Sequence, residues 1–419
     1  MSTDTTRASL APEEQGGGAT GLNRSLLRRP LRFLRPMAPA LLAYTAVRAF
    51  GLLAMWLHPK SDLPGVSNST LTRLATLWDA PYYQMIAVHG YSDDLGIDGY
   101  ANGVPYSSRA FFPFYPMAIR AVHAVLPITA GHAALLVAWF FSLVAAAGIF
   151  AVVAHVYRPR IALIAVVLWG ALPHGAVESM AYSEPVFTAW AAWSLYALLR
   201  RNWIWAGALS CMACLTRPSG LAVAAAVGIT AAVELVQFWR GRRNGADRPV
   251  VWRVLLGTAL APAGWFGYLA YVGWQRGTWR GYFDVQLAWG THFDFGRGTL
   301  SWMSGMILHP DSKGTTLDQV VMVGIVVASV VLFLLAVEQR QPLPLLVFGG
   351  MMLVIALGDG AYYAPRARFL LPAFVLLLPV AAGLSRIRSR VSLWVLLSSA
   401  VVCSGFYGVF LVFESVYSP

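Results

Sequence analysis

A carboxylate set among aromatic side chains follows the first long apolar run, in Leu77-Trp78-Asp79-Ala80-Pro81-Tyr82-Tyr83, and Asp79 is the chain's leading candidate for acid–base chemistry. The stretch through Gly90-Tyr91 reads as a short helix. Asp79 stands at the N-cap position, Pro81 falls in the first turn where a missing N–H costs nothing, and Gly90 supplies the C-terminal stop. Met85, Ile86 and His89 share a face at the i, i+3, i+4 spacing, and the helix is too short and polar to cross a bilayer. It is therefore expected to lie in the membrane interface with Asp79 at its mouth. Asp is also a preferred N-cap residue, and the two roles are compatible.

Four further constellations carry chemistry beside a plainer structural role. In Tyr182-Ser183-Glu184-Pro185, Ser183 is suited to cap the next helix and Glu184 to complement its dipole; alternatively Glu184 faces the same cavity as Asp79 and binds a sugar hydroxyl. Thr216-Arg217-Pro218-Ser219-Gly220 breaks an apolar region around an arginine, a residue suited to bidentate phosphate binding, and snorkelling to the interface is the alternative. Tyr362-Tyr363-Ala364-Pro365-Arg366-Ala367-Arg368-Phe369 offers two more arginines, for a lipid phosphate or for anionic headgroups. Asp93-Asp94-Leu95-Gly96-Ile97-Asp98 does not fit the EF-hand register, which leaves open only a looser divalent site from Asp93, Asp94 and Asp98. No cofactor is expected.

The elements that must position these residues are membrane helices. Of the 419 residues 58% are hydrophobic and 12% charged, and the mean hydropathy is +0.59. That balance excludes a soluble enzyme and predicts an all-α polytopic membrane protein. Residues 1–22 are polar and Gly-containing and are expected to form a disordered cytoplasmic tail, with 23–419 as the transmembrane domain. A basic block at Arg24, Arg28, Arg29, Arg32 and Arg35 precedes the first apolar run, at 37–57, and places the N-terminus in the cytoplasm. Further runs fall near 131–155, 161–178, 184–200, 203–216, 220–239, 251–274, 318–337, 343–358, 368–384 and 391–413, giving about eleven spans and an extracytoplasmic C-terminus. The alternation puts the basic turns at 158–160, 200–201, 240–253, 340 and 386–390 inside, so the net charge of +12 reflects topology and not nucleic-acid binding.

Nearly all carboxylates beyond the tail then lie outside: Asp62, Asp79, Asp93, Asp94, Asp98, Glu184, Asp284, Asp294, Asp311, Asp318 and Asp359. Two extracytoplasmic loops, 58–130 and 275–317, are long and aromatic-rich enough to be ordered. The first carries a second amphipathic piece around Phe111-Phe112-Pro113-Phe114-Tyr115-Pro116, and the second carries Trp279, Tyr282, Gln286 and Trp289. Cys211, Cys214 and Cys403 sit inside apolar runs and are read as packing residues.

In order and common sidedness these motifs resemble the PIG-V-like mannosyltransferases, membrane glycosyltransferases of the GT-C class. The resemblance spans most of 37–413 and rests on Leu77-Trp78-Asp79-Ala80 through His89-Gly90-Tyr91, Phe111-Phe112-Pro113-Phe114-Tyr115-Pro116, Ser179-Met180-Ala181-Tyr182-Ser183-Glu184, Leu215-Thr216-Arg217-Pro218-Ser219-Gly220 and Pro365-Arg366-Ala367-Arg368-Phe369. It implies a GT-C-like fold and inverting transfer of a sugar, mannose in the family, from a polyprenyl-phosphate donor to a glycolipid, polysaccharide or protein acceptor on the extracytoplasmic face. Asp79 would be the base, Arg217, Arg366 and Arg368 the phosphate ligands, and Trp78, Tyr82, Tyr83, Tyr182, Ser183 and Glu184 the lining of the sugar and acceptor pocket. A flippase for a lipid-linked sugar, or an inactive subunit of an assembly complex, is the alternative.

The topology is directly testable. Single cysteines at Ser92 and Thr291 should react with an impermeant reagent added outside intact cells, and one at Asn244 only after permeabilisation; the reverse pattern would invert the assignment.

Overall fold

The computed structural model describes residues 36–58, 69–97, 104–241, 250–308, 316–360, 363–415 and 417–418. The tail at 1–22, the basic block at 24–35, Asp62, Asp98, Asp311, Tyr362 and most of the 240–253 turn lie outside the described residues.

Helices follow the apolar runs, and their ends fall where the capping chemistry places them. After α1 (Ala38–Leu57) come the short α2 (Thr70–Thr76) and α3 (Ala80–His89), then α4 (Phe114–Val125), α5 (Ala130–Val156) and α6 (Pro159–Gly170). Thr129 caps α5 by accepting the His132 N–H at 3.2 Å. A 3₁₀ segment, Pro173–Ser179, leads into α7 (Glu184–Leu199), α8 (Trp203–Cys214) and α9 (Gly220–Trp239). Proline at N1 or N2 opens α3, α6, the 3₁₀ segment and α7, each at a position where the missing donor is free of cost. The chain continues through α10 (Val251–Leu260), α11 (Ala263–Arg276), α12 (Gly281–Ala288), α13 (Arg297–Leu308), α14 (Leu317–Glu338) and α15 (Leu343–Gly358). It ends in α16 (Arg366–Leu370), a 3₁₀ turn at Phe374–Leu377, α17 (Leu378–Leu384) and α18 (Arg390–Phe413). An isolated β-bridge joins Phe293 to Asp359.

The expected count of about eleven spans is not supported. Among the described residues six helices are long and apolar enough to cross a membrane: α1, α5, α9, the α10–α11 pair, α14 and α18. A seventh is possible only if α6 and the 3₁₀ segment form one span, and these meet at 83°. The physical reason is the proline pattern. Pro173 ends α6, Pro218 separates α8 from α9, and the run at 368–384 breaks into three short helices around Pro372 and Pro379. These breaks expose backbone that only neighbouring protein can satisfy.

Packing is most extensive between α5 and α7 and between α7 and α8. Small residues bring backbones together between α8 and α10. A Cβ on Gly207 of α8 would strike the Gly257 carbonyl of α10, and a Cβ on Gly257 would strike the Trp203 carbonyl. In an apolar solvent such close packing takes over from hydrophobic burial as the source of helix association. The basic turns meet at one end of the helices, where Arg160 donates to the Ile387 carbonyl at 3.1 Å and Arg201 pairs with Glu234 at 3.3 Å.

Substituting Gly257 by Val should therefore destabilise the detergent-solubilised protein by about 1–3 kcal/mol through overpacking. Gly228→Ala, where an added Cβ meets nothing within 4 Å, should leave the melting temperature unchanged or raise it.

Candidate active site

The short helix expected from the sequence forms, but its N-terminal residue does a different job. Asp79 occupies the N-cap position of α3 and makes no side-chain cap hydrogen bond. Its carboxylate turns away from the helix, and Oδ2 lies 2.7 Å from Nη1 of Arg368. The three-residue link from α2 makes this possible through Trp78, which has φ 60. A positive φ at a bulky aromatic residue costs on the order of 1–3 kcal/mol and persists only where surrounding contacts fix it. Here the Gln84 side chain donates back to the Ala75 and Ala80 carbonyls, and the Asp79 N–H donates to the Tyr182 hydroxyl at 3.3 Å. The indole N–H of Trp78 is buried with no partner among the described residues. The inner face of α3 also differs from expectation: Ala80, Tyr83, Ile86 and Ala87 are buried, whereas His89 is exposed.

Arg368 joins Asp79 to a second carboxylate. Its Nε lies 3.2 Å from Glu184 Oε1, and the same oxygen is 2.7 Å from Nη1 of Arg217. Glu184 opens α7, Arg217 sits in the break between α8 and α9, and Arg368 lies in α16. Four segments distant in sequence thus converge on two arginines and two carboxylates. Phe369 lies under both guanidiniums, with ring centroid distances of 5.6 Å to Arg217 and 5.3 Å to Arg368, and Tyr182 stands 4.9 Å from Arg368. Ser183 makes no cap hydrogen bond. Its hydroxyl accepts from Arg217 at 2.9 Å and lies 2.9 Å from the Tyr83 hydroxyl.

The two carboxylates are not equivalent. Glu184 is wholly buried and held by both arginines, whereas the Asp79 side chain is 27% exposed and holds one. Burial first, and the carboxylate charges after it, push the Tyr83 hydroxyl well up from its ordinary value. The Tyr182 hydroxyl is raised in the same way, by burial and then by Asp79. Both hydroxyls remain neutral hydrogen-bonding groups, and Asp79 is the partly exposed carboxylate of the cluster.

The remaining sequence candidates lie around this centre or apart from it. Tyr82 stacks on Phe111 with ring centroids 5.3 Å apart and meets Trp289 edge-on at 5.1 Å. Trp289 also donates to the Ser107 carbonyl at 2.9 Å, so the two aromatic-rich loops dock on one another beside Asp79. Arg366 does not join the cluster: its Nε donates to Thr299 at 2.8 Å and its Nη2 to the Asp359 carbonyl at 2.6 Å. Asp93 pairs with Arg109 and, at 3.0 Å, with Arg276, and Asp94 accepts the Gly96 N–H at 2.7 Å. Among the described residues no group of three or more His, Cys, Asp or Glu is placed to hold a metal ion.

Sequence reasoning missed the frame behind the cluster. Tyr44 of α1 donates to Glu178 at 2.6 Å, and Arg48 donates to Ser179 and to the Gly170 carbonyl at 3.2 and 2.7 Å. Trp139 of α5 donates to the Ser179 carbonyl at 2.9 Å. These bonds pin the bent segment that presents Tyr182, Ser183 and Glu184. Arg48 and Glu178 fall singly in apolar stretches, and an intramembrane charge is the one signal that would have found them.

No family model matches the sequence, and no curated protein matches it either. Among solved structures the chain is similar to the oligosaccharyltransferase AglB of Archaeoglobus fulgidus. Against the apo form the identity is 12%, the TM-score 0.46, and the match covers 88% of this chain and 56% of that one. Against the complex with an inhibitory peptide and a dolichol-phosphate the identity is 12%, the TM-score 0.49, and the coverage 92% and 56%. The chain thus spans about half the length of these proteins.

The cluster makes a stability prediction. Glu184→Ala should destabilise the fold by about 3–5 kcal/mol, because it leaves two buried guanidiniums without their shared partner. Asp79→Asn, at a partly exposed position, should cost about 1 kcal/mol or less. Thermal unfolding in detergent compares the two, and equal losses would contradict the assigned difference in burial and pairing.

Proposed function

We propose that the protein is a membrane glycosyltransferase that moves a sugar, with mannose the first candidate, from a polyprenyl-phosphate donor to an acceptor hydroxyl on the extracytoplasmic face. The observation that carries this reading is the unequal pair of carboxylates on shared arginines. One carboxylate is locked away as a structural counter-ion and the other is reachable, 2.7 Å from a guanidinium. Base and phosphate ligand therefore share one site, and in-line displacement requires a bound sugar to part them, with Asp79 and the acceptor on one face of the anomeric carbon and the phosphate on the other.

The acceptor oxygen attacks the anomeric carbon on the face opposite the phosphate, and its proton passes to Asp79. The bond from the anomeric carbon to the phosphate oxygen breaks, its electron pair leaves on the polyprenyl phosphate, and the anomeric configuration inverts. A phosphate is already a stable anion, so the leaving group needs cations more than a strong general acid. Arg368 and Arg217 supply them. An arriving phosphate competes with Asp79 for Arg368, so donor binding itself frees the carboxylate to take the acceptor proton. Tyr83, Ser183 and Tyr182, all neutral, are placed to bind hydroxyls beside it. Arg366, committed to Thr299 and Asp359, is the weakest of the three phosphate candidates.

Asp79→Asn should lower transfer from radiolabelled polyprenyl-phosphate mannose by about 10²- to 10⁴-fold, the usual worth of a positioned base, while donor binding is kept. Near-normal turnover by a well-folded Asp79→Asn protein would remove Asp79 from the chemistry. Label crossing the bilayer without entering a new product would replace the transferase reading with a flippase.

A further inference from the structure

A cavity of about 230 Å³ has a lining that includes His174, Trp302, Asp318, Gln319, Tyr363 and Ser418. None of these residues belongs to the acid–base cluster, yet the 3₁₀ segment that carries His174 packs against α16, which carries Arg368. The cavity therefore adjoins the proposed reaction centre. Its chemistry is unusual for space inside a helical bundle. His174 is 2% exposed and its Nδ1 has no hydrogen-bond partner among the described residues, and the hydroxyls of Tyr363 and Ser418 are likewise buried and unpartnered among them. Asp318, in the first turn of α14, accepts from Ser415 through Oδ2 at 3.2 Å. Gln319 accepts the Thr316 N–H through Oε1 at 3.2 Å, which leaves its amide NH₂ to donate. Trp302 and Tyr363 stack with centroids 3.6 Å apart and planes within 12°, and Trp302 is the half-buried member of the pair.

We infer that this cavity binds one neutral pyranosyl residue, with its apolar face on the Trp302 ring and its hydroxyls on Asp318, Gln319 and His174. The alternatives fail on the same residues. A purely apolar ligand would leave His174, Tyr363 and Ser418 unsatisfied, at the cost attached to buried polar groups without partners. A phosphate would meet the Asp318 carboxylate and no lysine or arginine in the lining. A metal ion would find one carboxylate and one imidazole, and no larger ligand group assembles among the described residues. A ring with hydroxyls that both donate and accept, and with C–H groups on one face, satisfies the whole set. The site's existence stands on the cavity alone; that its sugar belongs to a transferase substrate rests on the glycosyl-transfer reading above.

Saturation-transfer NMR on the detergent-solubilised full chain, with methyl α-mannopyranoside and methyl β-glucopyranoside as probes, reads binding without requiring turnover. Wild type and Asp79→Asn should give equal transfer to the ring C–H protons of at least one probe. Asp318→Asn and Trp302→Ala should weaken it by about tenfold or more, and Trp302→Phe should fall between because it keeps an aromatic face. Absence of transfer to either probe by the wild type would overturn the inference. So would binding that is lost in Asp79→Asn but unchanged in the Trp302 series, since the sugar would then sit in the acid–base cluster. Either result leaves the assignment of Asp79 as base to be judged separately, by turnover.

Discussion

The pairing of Arg368 with both Asp79 and Glu184, closed by Arg217, is the constraint on which the rest of the site depends. Four charges held within a dense helical bundle are tolerable only together, because each one left alone would bear the full cost of its lost solvation. The four residues come from the start of α3, the start of α7, the break after α8 and the short α16. Keeping them in register demands that all four chain ends stop at one depth, and that demand accounts for the irregular backbone nearby. Trp78 in the left-handed region, the 83° bend before Ser179 and the fragmented segment from Arg366 to Leu384 all serve that single convergence.

Outward from the cluster the supports are themselves polar, and each ties an irregular segment to a regular helix. Tyr44, Arg48 and Trp139 hold the bend from α1 and α5. Arg73 donates to the Val412 carbonyl at 2.8 Å and stands 4.8 Å from the Phe413 ring, which fastens α2 to the end of α18. The docking of Trp289 against Tyr82, Tyr106 and Phe111 then covers α3 with the second loop region. Open backbone in an apolar setting must be met by protein groups, and here most of those groups are aromatic N–H, phenol and guanidinium donors. A site held this way is rigid where it carries charge and accessible chiefly at Asp79.

The two polar regions differ in charge. On one side, arginines and carboxylates balance each other and suit a charged group that can displace one member of a pair. On the other, a single carboxylate, an imidazole, an amide and an aromatic platform suit a neutral, hydroxyl-rich ring. Arg366 and Arg368 leave the same five-residue helix toward different partners.

Much of this was legible without coordinates. Composition and the length of the apolar runs determine an all-helical chain suited to a membrane, because hydrocarbon leaves the backbone few other ways to satisfy its hydrogen bonds. Local signals also placed the short helix after Asp79 and the break around Arg217, and they singled out Glu184, Arg217, Arg366 and Arg368 alike, since charged residues at breaks in apolar sequence are costly unless used. What the sequence could not decide is direction. Whether Asp79 caps its own helix or turns away, and whether Arg366 or Arg368 reaches the carboxylates, depends on side-chain vectors set by a strained residue and a five-residue helix. Nor does hydropathy say which apolar runs cross the bilayer, because Pro173, Pro218 and Pro379 cut runs of adequate length into pieces whose course is fixed by neighbours. Pairwise contacts between residues separated by 103 to 289 positions, such as Asp79 with Tyr182 and with Arg368, exist only once the bundle has closed, and tertiary packing alone selects them.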